Sequence, residues 1–138
     1  MSAYAAPVRD MVFALDELAG LKRLATLPGY EEATEDLVRA VLAEAGRFAG
    51  DVFAPTNSAG DRTPAALENG VVRTSPGFRD AYRHYVEAGW NAMPFEPEHG
   101  GQGLTWSVTM SVLEMLNSSN MELRLFTILK FGAVEAIA

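Results

Sequence analysis

The chain has 138 residues, 49% of them hydrophobic, and a formal net charge of −7. That length suits one ordinary domain with a buried core, and the acidic balance, with its scattered lysines and arginines, disfavours nucleic acid and anionic membrane surfaces as partners. There is no cysteine, which excludes disulfides, thiolate chemistry and zinc–thiolate sites.

The N-terminal stretch MSAYAAPVRDMVFALDE has no basic segment leading into an apolar run, so it does not read as a signal peptide. No stretch approaches the roughly 18 apolar residues of a membrane span. A soluble, cytoplasmic protein is the expectation. Residues 1–9 read as an extended arm, with Pro7 keeping Ala6 out of helical space. Asp10 is placed to cap a helix whose stripe is Met11, Leu15 and Leu18. Gly20 is a stop, residues 21–26 add a turn, and Pro28-Gly29 is a turn signal.

The next helix gives the clearest pattern. Thr34 is an N-cap, and Glu35 and Asp36 place negative charge where the helix dipole favours it. Leu37, Val41, Ala45, Phe48 and Val52 recur at three or four residues. Pro55 is expected to end the helix near Phe53. Residues 55–75 read as a long polar excursion, with a short extended piece at 71–74. Ser75-Pro76 opens another helix with Phe78, Tyr82, Tyr85 and Val86 on its apolar face, closed by Gly89.

The stretch EAGWNAMPFEPEHGGQGL follows. Its three glycines lie close together, yet it is not GxGxxG, has no preceding βαβ pattern and lacks the Lys-Ser/Thr of a P-loop. It reads as a tight connection that lets the chain turn sharply into the next helix. Thr105 caps that helix, which carries Trp106, Thr109, Met110, Val112, Leu113 and Leu116 on one side. Asn117-Ser118-Ser119-Asn120 is a break and a fresh cap. Residues 121–138 form a last helix, apolar around more of its circumference than one neighbour can cover. It ends in GAVEAIA without a C-cap glycine, a closing basic residue or a polar tail, so the chain is expected to be the front piece of a larger protein. The fold class is all-α, with four to six helices.

Chemistry-bearing groups are sparse. His84 and His99 sit in different elements without partners at ligand spacing, so no metal site is expected. His84 is expected at the surface, and His99 as a loop anchor. Glu114 lies between Leu113 and Met115, where a carboxylate should be paired with a neighbouring helix or the glycine loop. A small enzyme using Glu114 or His99 as a base is the weakest reading. A stand-alone helical module that binds a protein partner through its apolar face is a stronger one.

Taken together, Gly89, Trp90, Pro97, Glu98, Gly100, Gly101, Gly103 and Glu114 form a string: a helix ending in Gly, a hydrophobic stretch, Pro-Glu-x-x-Gly-Gly-x-Gly, then a helix with an acidic residue. It resembles the N-terminal helical domain of the acyl-CoA dehydrogenases. The segments YAAPVRDMVFALDEL, VLAEAGRFAGDVFAPTNSAGD and GFRDAYRHYVEAGW resemble the branch with an extended N-terminus that includes the 3-methylmercaptopropionyl-CoA dehydrogenases. The resemblance implies an arm with a short helix over 1–30 and the helical domain over 31–138, ending before a middle β-domain and a C-terminal four-helix bundle. It further implies α,β-dehydrogenation of an acyl-CoA thioester by FAD held mainly outside this chain, in an oxidoreductase of fatty acid metabolism. The catalytic glutamate would lie elsewhere, electrons would pass to an electron-transfer flavoprotein, and the enzyme would be a homo-oligomer. Mapped onto the helix after the acidic one, Leu123, Thr127 and Phe131 share a face and are expected to line the acyl end of the pocket. Pro97, Glu98, Gly100, Gly101 and Gly103 form the structural loop.

Overall fold

The computed structural model of the chain describes residues 4–137. Helix α1 spans Val8–Phe13 and begins earlier than Asp10, because the Pro7 carbonyl accepts the first helical bond, from Met11 N–H at 3.0 Å. A wide π-type turn, Ala14–Leu18, continues it. The Ala19 N–H reaches back five residues to the Ala14 carbonyl at 2.9 Å. The extra residue per turn rotates Leu18 off the stripe, so Met11 and Leu15 are buried while Leu18 is 80% exposed. A single turn, α2 (Leu21–Leu24), follows Gly20.

Helix α3 (Glu35–Phe48) starts at Thr34, whose side chain accepts from Leu37 N–H at 3.3 Å. It buries Val38, Leu42 and Ala45, then Ala49 and Phe53 beyond its end. The expected stripe thus lies one position off, except at Ala45. Val41, Phe48 and Val52 flank the core instead of forming it, and Leu37 is exposed. Pro55 does not end the helical path either. A second π-type turn, Ala49–Phe53, leads directly into α4, Ala54–Arg62. The widened turn accommodates the ring and the missing donor that a regular α-helix would not. Proline then sits in the first turn of α4, where its N–H is not needed.

The expected polar excursion is therefore helix to Arg62, followed by a β-hairpin. Strands β1 (Ala66–Glu68) and β2 (Val71–Arg73) pair antiparallel, Glu68 opposite Val71. Asn69 and Gly70 both have positive φ, as a two-residue hairpin turn of the favoured hand requires. Helix α5 (Phe78–Glu87) buries Phe78, Ala81 and Tyr85; Tyr82 and Val86 remain partly exposed. After short 3₁₀ turns at Trp90–Ala92 and Pro97–His99 come α6 (Trp106–Ser119) and α7 (Met121–Ile137). Thr105 caps α6 through Val108 N–H. Trp106 and Met110 leave the expected apolar side and are exposed, whereas Val112, Met115 and Leu116 are fully buried. Among the described residues no helix is long and apolar enough to cross a membrane.

The core lies where α3 and its π-turn meet α1, α5 and α6. Phe53 packs against Phe48 (5.6 Å between ring centroids) and Tyr85 (5.8 Å). One polar knot crosses this core. The Asn120 side-chain amide donates to Thr56 Oγ1 at 2.9 Å and to the Phe53 carbonyl at 3.4 Å, and its oxygen caps α7 by accepting from Leu123 N–H at 2.9 Å. Replacing a buried amide with these bonds leaves several groups unsatisfied. Asn120→Ala is expected to lower unfolding free energy by about 2–3 kcal/mol, and Thr56→Ala by about 1 kcal/mol. Urea denaturation of the two variants checks the order.

Candidate functional site

Helix α7 turns its apolar pattern partly outward. Leu123, Thr127 and Phe131 do share a face, and that face is buried: they are 1, 1 and 6% exposed. Leu123 also borders an apolar cleft of about 350 Å³ with Phe78, Tyr82 and Phe126. Phe131 lies against Phe95 and Trp106, with ring centroids 5.6 and 6.2 Å away. The opposite face presents Leu125, Phe126, Ile128 and Leu129 to solvent, the last 83% exposed.

Two further residues of α7, Arg124 and Lys130, turn toward the inner face and meet Tyr85 of α5. Arg124 is only 3% exposed. Its Nη1 donates to Thr127 Oγ1 at 2.7 Å, and Thr127 Oγ1 donates in turn to the Arg124 carbonyl at 2.8 Å. The Arg124 Nε is buried without a partner. Six residues on, the Lys130 ammonium stands 3.5 Å from the Tyr85 hydroxyl, 4.8 Å from the Tyr85 ring centroid and 5.0 Å from that of Phe131. Burial, and then the neighbouring Arg124 charge, push the lysine down to about 8. Burial pushes the Tyr85 phenol up to about 12, against the opposing pull of Arg124. Burial also lowers Arg124 itself. The signal in the sequence was two basic residues, Arg124 and Lys130, among the apolar residues between Glu122 and Glu135, a pattern that costs free energy unless something answers it.

The glycine loop supports this wall. A Cβ on Gly101 would collide with the Phe95 backbone carbonyl, so only glycine fits there. Gly103 N–H donates to that same carbonyl at 2.9 Å, Gln102 N–H to Ala92 O, and Leu104 N–H to Met93 O. Gly100 and Gly101 donate to Pro97 O and Glu96 O. Every amide from Gly100 to Leu104 is thus engaged within the protein. The loop cannot cradle a phosphate as a P-loop does; it holds Phe95 against Phe131. A wider cleft of about 630 Å³ between the N-terminal turns and this loop contains Glu96 and Glu135 and no basic side chain, so it does not suit an anionic ligand.

Glu114 departs from expectation. It is exposed, so water satisfies the carboxylate and no internal partner is needed. His84 is exposed as expected. His99 is exposed too, with Nε2 3.6 Å from a Glu98 oxygen; the loop's own amides do the anchoring. Among the described residues no group of three or more His, Cys, Asp and Glu side chains converges as metal ligands would.

No family model matches the sequence. Over 98% of its length the chain is 39% identical to the 3-methylmercaptopropionyl-CoA dehydrogenase of Ruegeria pomeroyi, of which it covers 23%. Over 87% of its length it is 28% identical to FadE5, a broad-specificity linear acyl-CoA dehydrogenase of Mycobacterium tuberculosis, of which it covers 20%. The chain thus spans less than a quarter of the length of these relatives.

The depressed lysine has a signed consequence. Between pH 8 and 10 the unfolded chain binds more protons at Lys130 than the folded one does, so stability rises with pH across that window. Lys130→Met should remove this rise and leave the two proteins most different at pH 7. Thermal melts of both at pH 7 to 10 measure it.

Proposed function

The chain is a relative of the acyl-CoA dehydrogenases, and on that premise we propose that it is the N-terminal helical part of an FAD-dependent enzyme. That enzyme takes hydrogen from Cα and Cβ of an acyl-CoA thioester. The observation that carries this reading is the 39% identity extending over nearly the whole chain. The helical arm over 1–30 and the domain over 31–138 are the proposed division.

The described residues do not fit the flavin by themselves. The glycine-rich loop has no free amide from Gly100 to Leu104, and the cleft of about 630 Å³ carries two glutamates and no basic side chain. FAD therefore rests on parts of the enzyme beyond this chain, as does the base that removes the α-proton. The contribution of this piece is shape. Leu123, which borders the cleft beside Phe126, shapes the acyl end of the pocket, Thr127 and Phe131 back it from the buried face, and the exposed rows of α7 pack on the substrate and cofactor domains. The hairpin's Leu67, Val71 and Val72, also exposed, offer a second apolar contact for neighbouring polypeptide. A cytoplasmic homo-oligomer that hands electrons to an electron-transfer flavoprotein completes the proposal.

The bare face of α7 favours one other reading, a helical module that docks on a protein partner. The full-length protein separates the two. On the first reading it carries a flavin band that bleaches when acyl-CoA is added without oxygen, whereas the 138-residue chain stays colourless with or without FAD. A colourless full-length protein that ignores acyl-CoA overturns the dehydrogenase reading. In the active enzyme, Leu123→Ala and Phe131→Ala should shift the chain-length preference of kcat/KM by about tenfold or more, since each methylene of fit is worth about 1–3 kcal/mol.

A further inference from the structure

The two cations of α7 have no anion. Among the described residues neither Arg124 nor Lys130 forms an ion pair, although eight other pairs are present. Arg124 is buried deeply enough that a missing counter-charge is costly. Lysine has a flexible four-carbon stem and ordinarily carries its ammonium out to water. Lys130 instead lies over Tyr85 and Phe131. Arg124 faces the same Phe131 ring, its guanidinium carbon 5.6 Å from the centroid. Two like charges are therefore gathered at one aromatic ring, beside the hydroxyls of Tyr85 and Thr127. The ring faces offset part of the repulsion between the two cations, and a negative group in reach of both would offset the rest.

We propose that Arg124 and Lys130 form a receptor for one oxyanion of a small-molecule ligand, a carboxylate or a phosphate. The planar guanidinium supplies a fork of donors that matches either group, and Lys130 adds a point charge at the half-open edge. The hydroxyl of Thr127, engaged by Arg124 on one side and by its backbone on the other, holds the guanidinium in place. This receptor shares Thr127 and Phe131 with the proposed acyl wall, but its evidence is the unpaired cations and not that reading. It survives if the acyl-pocket reading fails.

The test is a set of thermal melts of the 138-residue chain at constant ionic strength, with chloride replaced stepwise by acetate or by inorganic phosphate. Binding to the folded state should give a saturable rise in Tm of about 3–6 °C. A rise with acetate alone identifies a carboxylate-bearing ligand; a rise with phosphate identifies a phosphate ester. Arg124→Met and Lys130→Met should each abolish the rise. If circular dichroism shows that Arg124→Met does not fold, Lys130→Met decides. No saturable rise over chloride with either anion, or an undiminished rise in Lys130→Met, overturns the proposal.

Discussion

One buried amide, that of Asn120, joins the two halves of the molecule. Its three hydrogen bonds reach the end of the π-turn at Phe53, the first turn of α4 at Thr56 and the first turn of α7 at Leu123. Such a side chain cannot be half satisfied without cost, so its bonds set the angle at which α7 leaves α6. That angle determines which residues of α7 face Tyr85 and Phe95 and which face water. The Phe53 ring, buried beside the same knot, meets Tyr85, and Tyr85 meets Lys130. The local geometry of one asparagine is thus carried by packed rings to the cationic end of the site.

Helix α7 inverts the usual pattern of a surface helix. Soluble helices bury apolar residues and expose charge. Here Arg124 is interior, while Leu125, Phe126, Ile128 and Leu129 are bare. Both halves of the inversion point outward from the chain. An exposed apolar row favours covering polypeptide, and an interior cation favours an anion. Kinship with proteins more than four times as long supports the reading that the cover belongs to the rest of an enzyme.

Much of this was legible in the sequence because local chemistry decided it. Thr34 and Thr105 cap their helices and Gly20 and Gly89 stop theirs; of the expected Asn117–Asn120 break only Asn120 separates α6 from α7, because α6 runs on through Ser119. The glycine loop could be read as a tight connection, though not that Gly101 is pinned against Phe95. Two misreadings, at Leu18 and at Pro55, share a cause, the two π-type turns. Each inserts one residue into the helical count, so Leu18 leaves its stripe and the chain runs on through Pro55. Simple 3.6-residue periodicity cannot register that change. The α3 stripe failed for a different reason. Positions 37, 41, 48 and 52 and positions 38, 42, 49 and 53 are both largely apolar rows, and only tertiary packing chooses between them. The hairpin had a visible signal, Asn69-Gly70 between Leu67 and Val71, but its flanks are too short to show alternation. Tyr85, Arg124 and Lys130 come together only once α5 and α7 are packed, so no spacing along the chain could have gathered them.

On the proposed function, a helical piece can govern a reaction whose base and cofactor lie elsewhere, because rate and selectivity depend on where the reacting carbons are held. The loop from Phe95 to Leu104 is stiff for a stated reason: its amides are internally bonded, and Gly101 touches backbone. Its rigidity passes to Phe95, from Phe95 to Phe131, and from Phe131 to the turn of α7 that carries Thr127. If that turn walls the proposed acyl pocket, a surface built this way yields little to a ligand that does not fit. The glycines thus act through packing: they fix an aromatic surface, and their own amides are spent inside the loop.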